Sequence, residues 1–268
     1  MKPRHSRFTP SILPFLLVGA AHAASLVLVT GDAGRDADLV AHLESLGHTV
    51  TTGAYGAIDT NPSEVAALNS ADLVIISRNT NSGDYASGAT EVAAWDSLTT
   101  PVLLGNAYIA RNNRWSYVDT ALIQADYGND ISAPSGTATV HPLFAGLTPN
   151  TIADPAISGL EKYSFSSSSD IPDGGTVMGD GMTIGVRNNI SFQNVIVASW
   201  EAGGMTGSGN PLGSDRYFYA LPEDFSSFDA NGVQLLDNIV DATLVPEPGA
   251  AVLTLTFFVA AGLKRRRS

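Results

Sequence analysis

Short, unbroken apolar runs punctuate the first half of this chain. Leu26-Val27-Leu28-Val29, Leu73-Val74-Ile75-Ile76 and Pro101-Val102-Leu103-Leu104-Gly105 contain no charged or hydrogen-bonding side chain. A half-buried strand alternates apolar with polar, whereas a run that is apolar throughout reads as a strand covered on both faces, as in a parallel sheet. Between these runs the period changes. From Asp36 to Leu46, the residues Leu39, Val40, Leu43 and Leu46 fall on one helical face, and Gly47 is placed to stop the helix. His48-Thr49-Val50-Thr51 predicts a second strand. Asn61-Pro62-Ser63-Glu64 has the order of a helix start: Asn as cap, Pro in the first turn, Glu three residues after the cap. Thr90–Leu98 predicts a further helix. Strand and helix therefore alternate, which implies right-handed crossovers and helices on both faces.

The pattern loosens after Gly105. Residues 106–136 show no clear element, and a long loop at the C-terminal end of a central strand is where α/β proteins commonly place a site. Strands are predicted at Thr137–Val140, Thr176–Met178, Thr183–Val186, Val195–Ser199 and Arg216–Tyr219. Ala230–Leu244 closes the region as an amphipathic helix, with Val233, Leu236, Ile239 or Val240, and Leu244 facing inward. The fold class is α/β: three layers, with a mostly parallel sheet between helices in one domain spanning 24–244.

The two ends follow other rules. Lys2, Arg4 and Arg7 precede an apolar Ser11–Ala21 and a small-x-small Ala21-His22-Ala23. This is the layout of a signal peptide over 1–23, cut between Ala23 and Ala24, and its partners are an export translocon and signal peptidase. At the other end, Val245-Pro246-Glu247-Pro248 leads into the apolar Gly249–Leu263 and then Lys264-Arg265-Arg266-Arg267. A stable spanning helix takes about 20 apolar residues, so this segment is a short anchor, and its cations favour the cytoplasmic side. The tail, 245–268, resembles the PEP-CTERM sorting signal of Gram-negative bacteria. That resemblance implies recognition of Pro246, Glu247 and Pro248 and cleavage by an exosortase-type membrane protease. It also implies an inner-membrane intermediate and then a cell-surface or extracellular location.

Charge sharpens the picture once the ends are set aside. The whole chain is −12, but residues 24–245 hold only seven cations (Arg35, Arg78, Arg111, Arg114, Lys162, Arg187 and Arg216) against 25 carboxylates, a balance of −18. Such a surface repels nucleic acid and is compatible with loose association with neutral polysaccharide. There is no cysteine, which excludes disulfides, a thiolate nucleophile and thiolate metal ligands.

The domain resembles the class I glutamine amidotransferase-like fold, in the broad sense that includes ThuA-type members and flavodoxin-like topology. The resemblance is carried by the first strand running into Gly31-Asp32, by Leu46-Gly47-His48, by Asp72–Ile76 and by Pro101–Gly105. His141-Pro142-Leu143-Phe144-Ala145-Gly146-Leu147 and Ala198-Ser199-Trp200-Glu201-Ala202-Gly203 complete it. It implies a Gly-x-Cys-x-Gly nucleophile turn after the 101–105 strand, with His and Glu after a late strand. This chain has Gly105-Asn106-Ala107-Tyr108-Ile109, so Ala107 takes the nucleophile's place, and Trp200-Glu201 follow the late strand with no His. The resemblance then implies a catalytically silent domain with a binding or structural role in an exopolysaccharide layer. The alternative is a carboxylate- or metal-dependent hydrolase of another kind on the same scaffold.

Other chemistry is sparse. His42, His48 and His141 are the histidines of the domain, and no Gly-x-Ser-x-Gly turn singles out a serine. Asp32, Asp36 and Asp38 lack the spacing of an EF-hand loop and read as complements to a helix N-terminus. No Gly-x-Gly-x-x-Gly or P-loop is present, and neither cofactor nor metal is expected. One polar cluster stands out. Arg78 and Asn79 follow the third strand, Asn106 follows the fourth, and Arg111 and Arg114 come next. Adjacent parallel strands would bring Arg78, Asn79 and Asn106 to one sheet edge as an anion or glycan pocket. Arg111, Trp200 and Glu201 would complete it, with Tyr108, Trp115 or Trp200 as stacking surfaces. Alternatively, the arginines pair with the domain's own carboxylates and hold the loop.

Overall fold

A computed structural model gives the fold and describes residues 23–125, 129–133, 141–149, 162–165, 170–188 and 193–244. The predicted signal peptide through His22, the sorting tail with its apolar segment, and the predicted strand Thr137–Val140 lie outside these residues. Among the described residues, no helix is long and apolar enough to cross a membrane.

The chain runs β1 (Ser25–Val29), α1 (Ala37–Ser45), β2 (Thr49–Gly53), α2 (Pro62–Asn69), β3 (Leu73–Ile76), α3 (Ala89–Asp96), β4 (Val102–Leu104) and α4 (Ala107–Ala110). It continues with β5 (Ile123–Ala125), β6 (Asn129–Ser132), β7 (Lys162–Phe165), β8 (Asp170–Pro172), β9 (Met182–Asn188), β10 (Gln193–Trp200), β11 (Arg216–Tyr219) and α5 (Ala230–Leu244). Nine strands form one sheet in the order β2-β1-β3-β4-β11-β10-β9-β6-β7, while β5 and β8 pair separately. The first five are mutually parallel, the order of a flavodoxin-like sheet. From β10 outward, every pairing is antiparallel. The unbroken apolar runs are the central parallel strands. Leu28, Val29 and all of β3 are 0 % exposed, and each such side chain contributes roughly 1.5–3 kcal/mol through burial.

Several helix signals act as read, with differences in detail. Gly47 follows α1 at φ +94°, the left-handed conformation that glycine adopts without strain. Leu39 and Leu43 of α1 are buried, but Leu46 is 37 % exposed and leaves the apolar face. Asn61 occupies the cap position before Pro62, yet its side-chain oxygen accepts from Ser63 Oγ (2.7 Å) rather than from the helix amides. The predicted strand Thr176–Met178 forms only a bridge, Val177 opposite Val118, because its neighbours bond to the 117–119 loop and to no strand.

Aromatic residues fill the space between α3 and the antiparallel half. Ring centroids run Trp95–Trp115 at 5.2 Å, Trp115–Tyr117 at 5.9 Å and Tyr117–Trp200 at 4.5 Å. All four rings are at most 1 % exposed. On another flank α1 meets α5, where His42 Nε2 and Asp237 Oδ1 lie 2.7 Å apart.

Candidate functional site

The C-terminal ends of β1, β3, β4 and β11 converge on one edge of the sheet, and the loops leaving them are tied to one another. After β3 the chain turns tightly: Asn79 N donates to Ser77 Oγ (2.9 Å) and Thr80 Oγ1 donates to Ser77 O (2.8 Å). Gly31, leaving β1, donates its amide to Asn79 O at 2.9 Å. Asn79 Nδ2 reaches Asp36 Oδ1 (2.8 Å) and Glu223 O (2.9 Å), joining the β1, β3 and β11 loops. Asn106, fully buried at the end of β4, donates through Nδ2 to Thr80 O (2.9 Å), Thr80 Oγ1 (2.8 Å) and Arg78 O (3.2 Å). Its Oδ1 accepts from Tyr108 N (2.8 Å) and so caps α4. Arg78, Asn79 and Asn106 do come together, as parallel neighbours must.

The charge in this cluster is internally paired. Arg78 donates to Asp170 through Nε (3.1 Å) and NH2, and to Glu223 Oε1 at 3.0 Å. Arg78 and Asp170 side chains are each 13 % exposed, while Glu223 is 50 % exposed. The guanidinium of Arg78 also lies 4.7 Å over the Tyr108 ring, and that of Arg111 lies 5.1 Å from it. Burial, and secondarily Asp170, raises the Tyr108 phenol above its ordinary range. Burial, with Arg114 nearby, lowers Arg111. Arg111 spends its donors on the carbonyls of Tyr108 (2.9 Å) and Ala121 (3.3 Å). For Arg78, therefore, pairing with the domain's own carboxylates describes the cluster better than an open anion pocket.

Trp200 and Glu201 do not join this cluster. β10 runs antiparallel to β11, so Trp200 pairs with Arg216 and Arg216 with Val102, at the start of β4 rather than its end. Trp200 is buried, its Nε1 donating to Met178 O (2.9 Å), and Glu201 is exposed at this opposite edge. Trp115 is equally enclosed, donating to Tyr85 O (2.7 Å), so neither indole offers a stacking face. The residues that sequence reasoning missed are Asp170 and Glu223. Glu223 was findable: it follows a predicted strand, once that strand is placed beside β4. Asp170 crosses from the antiparallel half, and no local pattern marks it.

The turn after β4 is built for packing. Ala107 opens α4 at 0 % exposure, and no residue from 105 to 110 has a positive φ. A Cβ on Gly105 would lie 2.5 Å from Leu221 Cδ1 and 2.7 Å from Ile76 O, and Leu221 N donates to Gly105 O at 2.9 Å. The position facing the turn from β11 is thus filled by a leucine. Asp32, Asp36 and Asp38 do not converge either. Asp32 Oδ1 accepts from the amides of Gly34 and Arg35 (both 3.2 Å), and Asp36 Oδ2 is buried without a partner among the described residues. Among the described residues, no three His, Asp or Glu side chains are grouped to hold a metal ion. A shallow cleft of about 330 Å³ beside the cluster is lined by Gly34, Arg35, Asp38, Glu223 and Asp224.

Fold and site together define a mixed α/β domain with a flavodoxin-like parallel half, whose turn after β4 opens on a buried alanine. No protein-family profile matches the chain, and no curated protein matches it. Among solved structures, a Thermoplasma acidophilum protein described as a GMP synthase component is similar at 12 % identity, over 83 % of this chain and 94 % of its own, with a TM-score of 0.47.

Proposed function

We propose that this chain is an exported protein of the exopolysaccharide layer whose α/β domain binds or braces rather than catalyses. The observation that carries the non-catalytic reading is the turn after β4. Its first helical residue, Ala107, is a buried methyl group, Leu221 fills the facing position, and Arg78 is neutralised by Asp170 and Glu223. A substrate carbonyl would meet neither an attacking atom nor a free cation there.

Export is supported by the basic, apolar and small-residue order of 1–23 and by the Pro246-Glu247-Pro248 tail. In this reading, signal peptidase cuts between Ala23 and Ala24. The tail then pauses in the inner membrane until an exosortase-type protease releases it. The experiment is expression of the full chain in cells with and without such a protease, followed by mass spectrometry of both termini of the protein recovered outside the cell. The expected product starts at Ala24 and lacks Lys264–Ser268 only where the protease is present. An intact Lys264–Ser268 end on extracellular protein would overturn the sorting half. Turnover of glutamine or of a glycoside by the purified chain would overturn the non-catalytic half.

A further inference from the structure

A second cleft, of about 410 Å³, runs along α3 between the 112–114 turn and the 208–210 loop. Its polar wall includes Asn113, Arg114, Ser208 and Asn210, and its apolar wall includes Ala89 and Val92. Arg114 is the unusual member. Where Arg35 and Arg78 hold carboxylates, Arg114 has no ion-pair partner among the described residues. Among the described residues its Nε is buried without an acceptor, and its NH1 reaches only the neighbouring Asn113 O, at 2.9 Å. In a domain with 25 carboxylates to seven cations, a partly buried guanidinium at a cleft with no carboxylate partner among the described residues is conspicuous.

The opposite wall is held from beneath. Asp96, 1 % exposed, accepts through Oδ2 from Ser208 Oγ (2.8 Å) and Asn210 Nδ2 (3.1 Å). These bonds fix both side chains while leaving Asn210 Oδ1 without a partner among the described residues. Neither carboxylate of α3 is among the residues lining the cleft. Glu91 is spent on Ser87 N and Oγ (both 2.7 Å) and Ala57 N (3.1 Å), and Asp96 lies below the lining.

We propose that this cleft binds one carboxylate-bearing sugar unit, a uronic acid of an acidic polysaccharide. Its carboxylate meets Arg114, its hydroxyls meet Asn113, Ser208 and Asn210, and one C–H face lies on Val92 and Ala89. The volume is within the usual range for a small-ligand site, about 300–1,000 Å³. The domain's overall negative field does not forbid this, since it is screened beyond about 8 Å at physiological salt while Arg114 acts at contact. The choice of a sugar rests on the polysaccharide-layer reading. The test uses purified protein and is therefore independent of whether the tail is sorted.

Full-length protein in detergent micelles is titrated by calorimetry with glucuronic acid, glucose and sulfate at physiological salt. Glucuronic acid should bind, and glucose and sulfate should each bind at least about tenfold more weakly, the scale of one charge-assisted hydrogen bond. Arg114→Gln should lose about tenfold and with it the preference for the acid over glucose. Asn113→Ala, at an exposed position, gives the same reading with a smaller loss should Arg114→Gln not fold. No glucuronic acid binding, binding unchanged in both variants, or sulfate binding as tightly as glucuronic acid would overturn the proposal. If the chain is sorted normally yet binds no glucuronic acid, this inference fails and the export reading stands.

Discussion

Two arginines mark opposite edges of the parallel strands, and they are held in contrasting ways. Arg216, at the start of β11, is 0 % exposed and donates to neutral oxygens. Its NH2 meets the carbonyls of Trp95 (3.1 Å), Asp96 (2.9 Å) and Leu98 (3.0 Å), and its NH1 meets Thr100, Ser214 and Asp215. Trp95 and Asp96 are the last residues of α3, so the guanidinium closes the end of that helix, where carbonyls lack partners and a cation is favoured. Burial lowers its proton affinity, against the pull of Tyr117 and Asp96. Arg78, at the other edge, faces two carboxylates, one of them half exposed. Backbone carbonyls cannot rotate away, whereas a surface carboxylate can exchange its partner for water. The edge bearing Arg216 is a structural lock, and the edge bearing Arg78 is a seam.

Replacing Arg216 by Met tests that contrast most severely. Six buried or part-buried carbonyls would lose a hydrogen bond, five of them keeping another donor, and the variant should lose about 3–5 kcal/mol in urea denaturation, the cost of breaking a buried polar network. A loss below about 1 kcal/mol would erase the distinction between lock and seam. Asn106→Ala comes next. It removes the side chain that ties the β3 and β4 loops, and should cost about 1–3 kcal/mol as Thr80 O and the Tyr108 amide lose their partner. An unchanged denaturation midpoint would mean that the seam is not held there.

Asp96 gives a pH-dependent test between the two edges. Burial raises its carboxyl above the ordinary range, outweighing its bonds to Asn210 and Ser208 and the charge of Arg216. The folded protein therefore keeps a proton that the unfolded chain releases, and this residue costs stability as pH climbs from the unfolded value, about 3.9, toward the raised one. Asp96→Asn cannot ionise. Its stability relative to the parent should rise with pH across that window and then level off, as read by thermal melts at a series of pH values. A pH-independent difference would contradict the burial account. The smallest effect is Glu223→Gln, which should change stability by less than about 1 kcal/mol, since Arg78 keeps Asp170 and the lost partner is half in water. A larger loss would show that the seam is as rigid as the lock.

What the sequence discloses follows from how local its cause is. β1, β3 and β4 are legible because burial on both faces writes itself into every residue of Leu26–Val29, Leu73–Ile76 and Val102–Leu104. Ala230–Leu244 is legible because one helical face is apolar, and Leu236, Ile239 and Val240 are indeed buried. The short α4, β5 and β6 are not, since Asn129-Asp130-Ile131-Ser132 is a strand only by virtue of distant partners in β7 and β9. Strand direction is equally non-local. Val195–Ser199 reads as a strand, but nothing in it states that it runs against β11, and that direction is what sends Trp200 and Glu201 to the far edge. The Arg78–Asn79–Asn106 association was accessible because it needs only two parallel neighbours, β3 and β4.

The attachment of α5 has a mechanical consequence. This 15-residue helix is about 22 Å long. Side-chain packing and individual bonds hold it, among them Tyr219 Oη to Gly232 O (2.9 Å) and the His42–Asp237 contact; no strand ladder includes it. A pull on Leu244 therefore peels the helix from its C-terminal end, breaking a few contacts at a time. A pull on Ala24 must instead shear β1 against β2 and β3 together. Loaded from residue 244, the molecule yields first at α5, as a shock absorber would, while the nine paired strands stay in register.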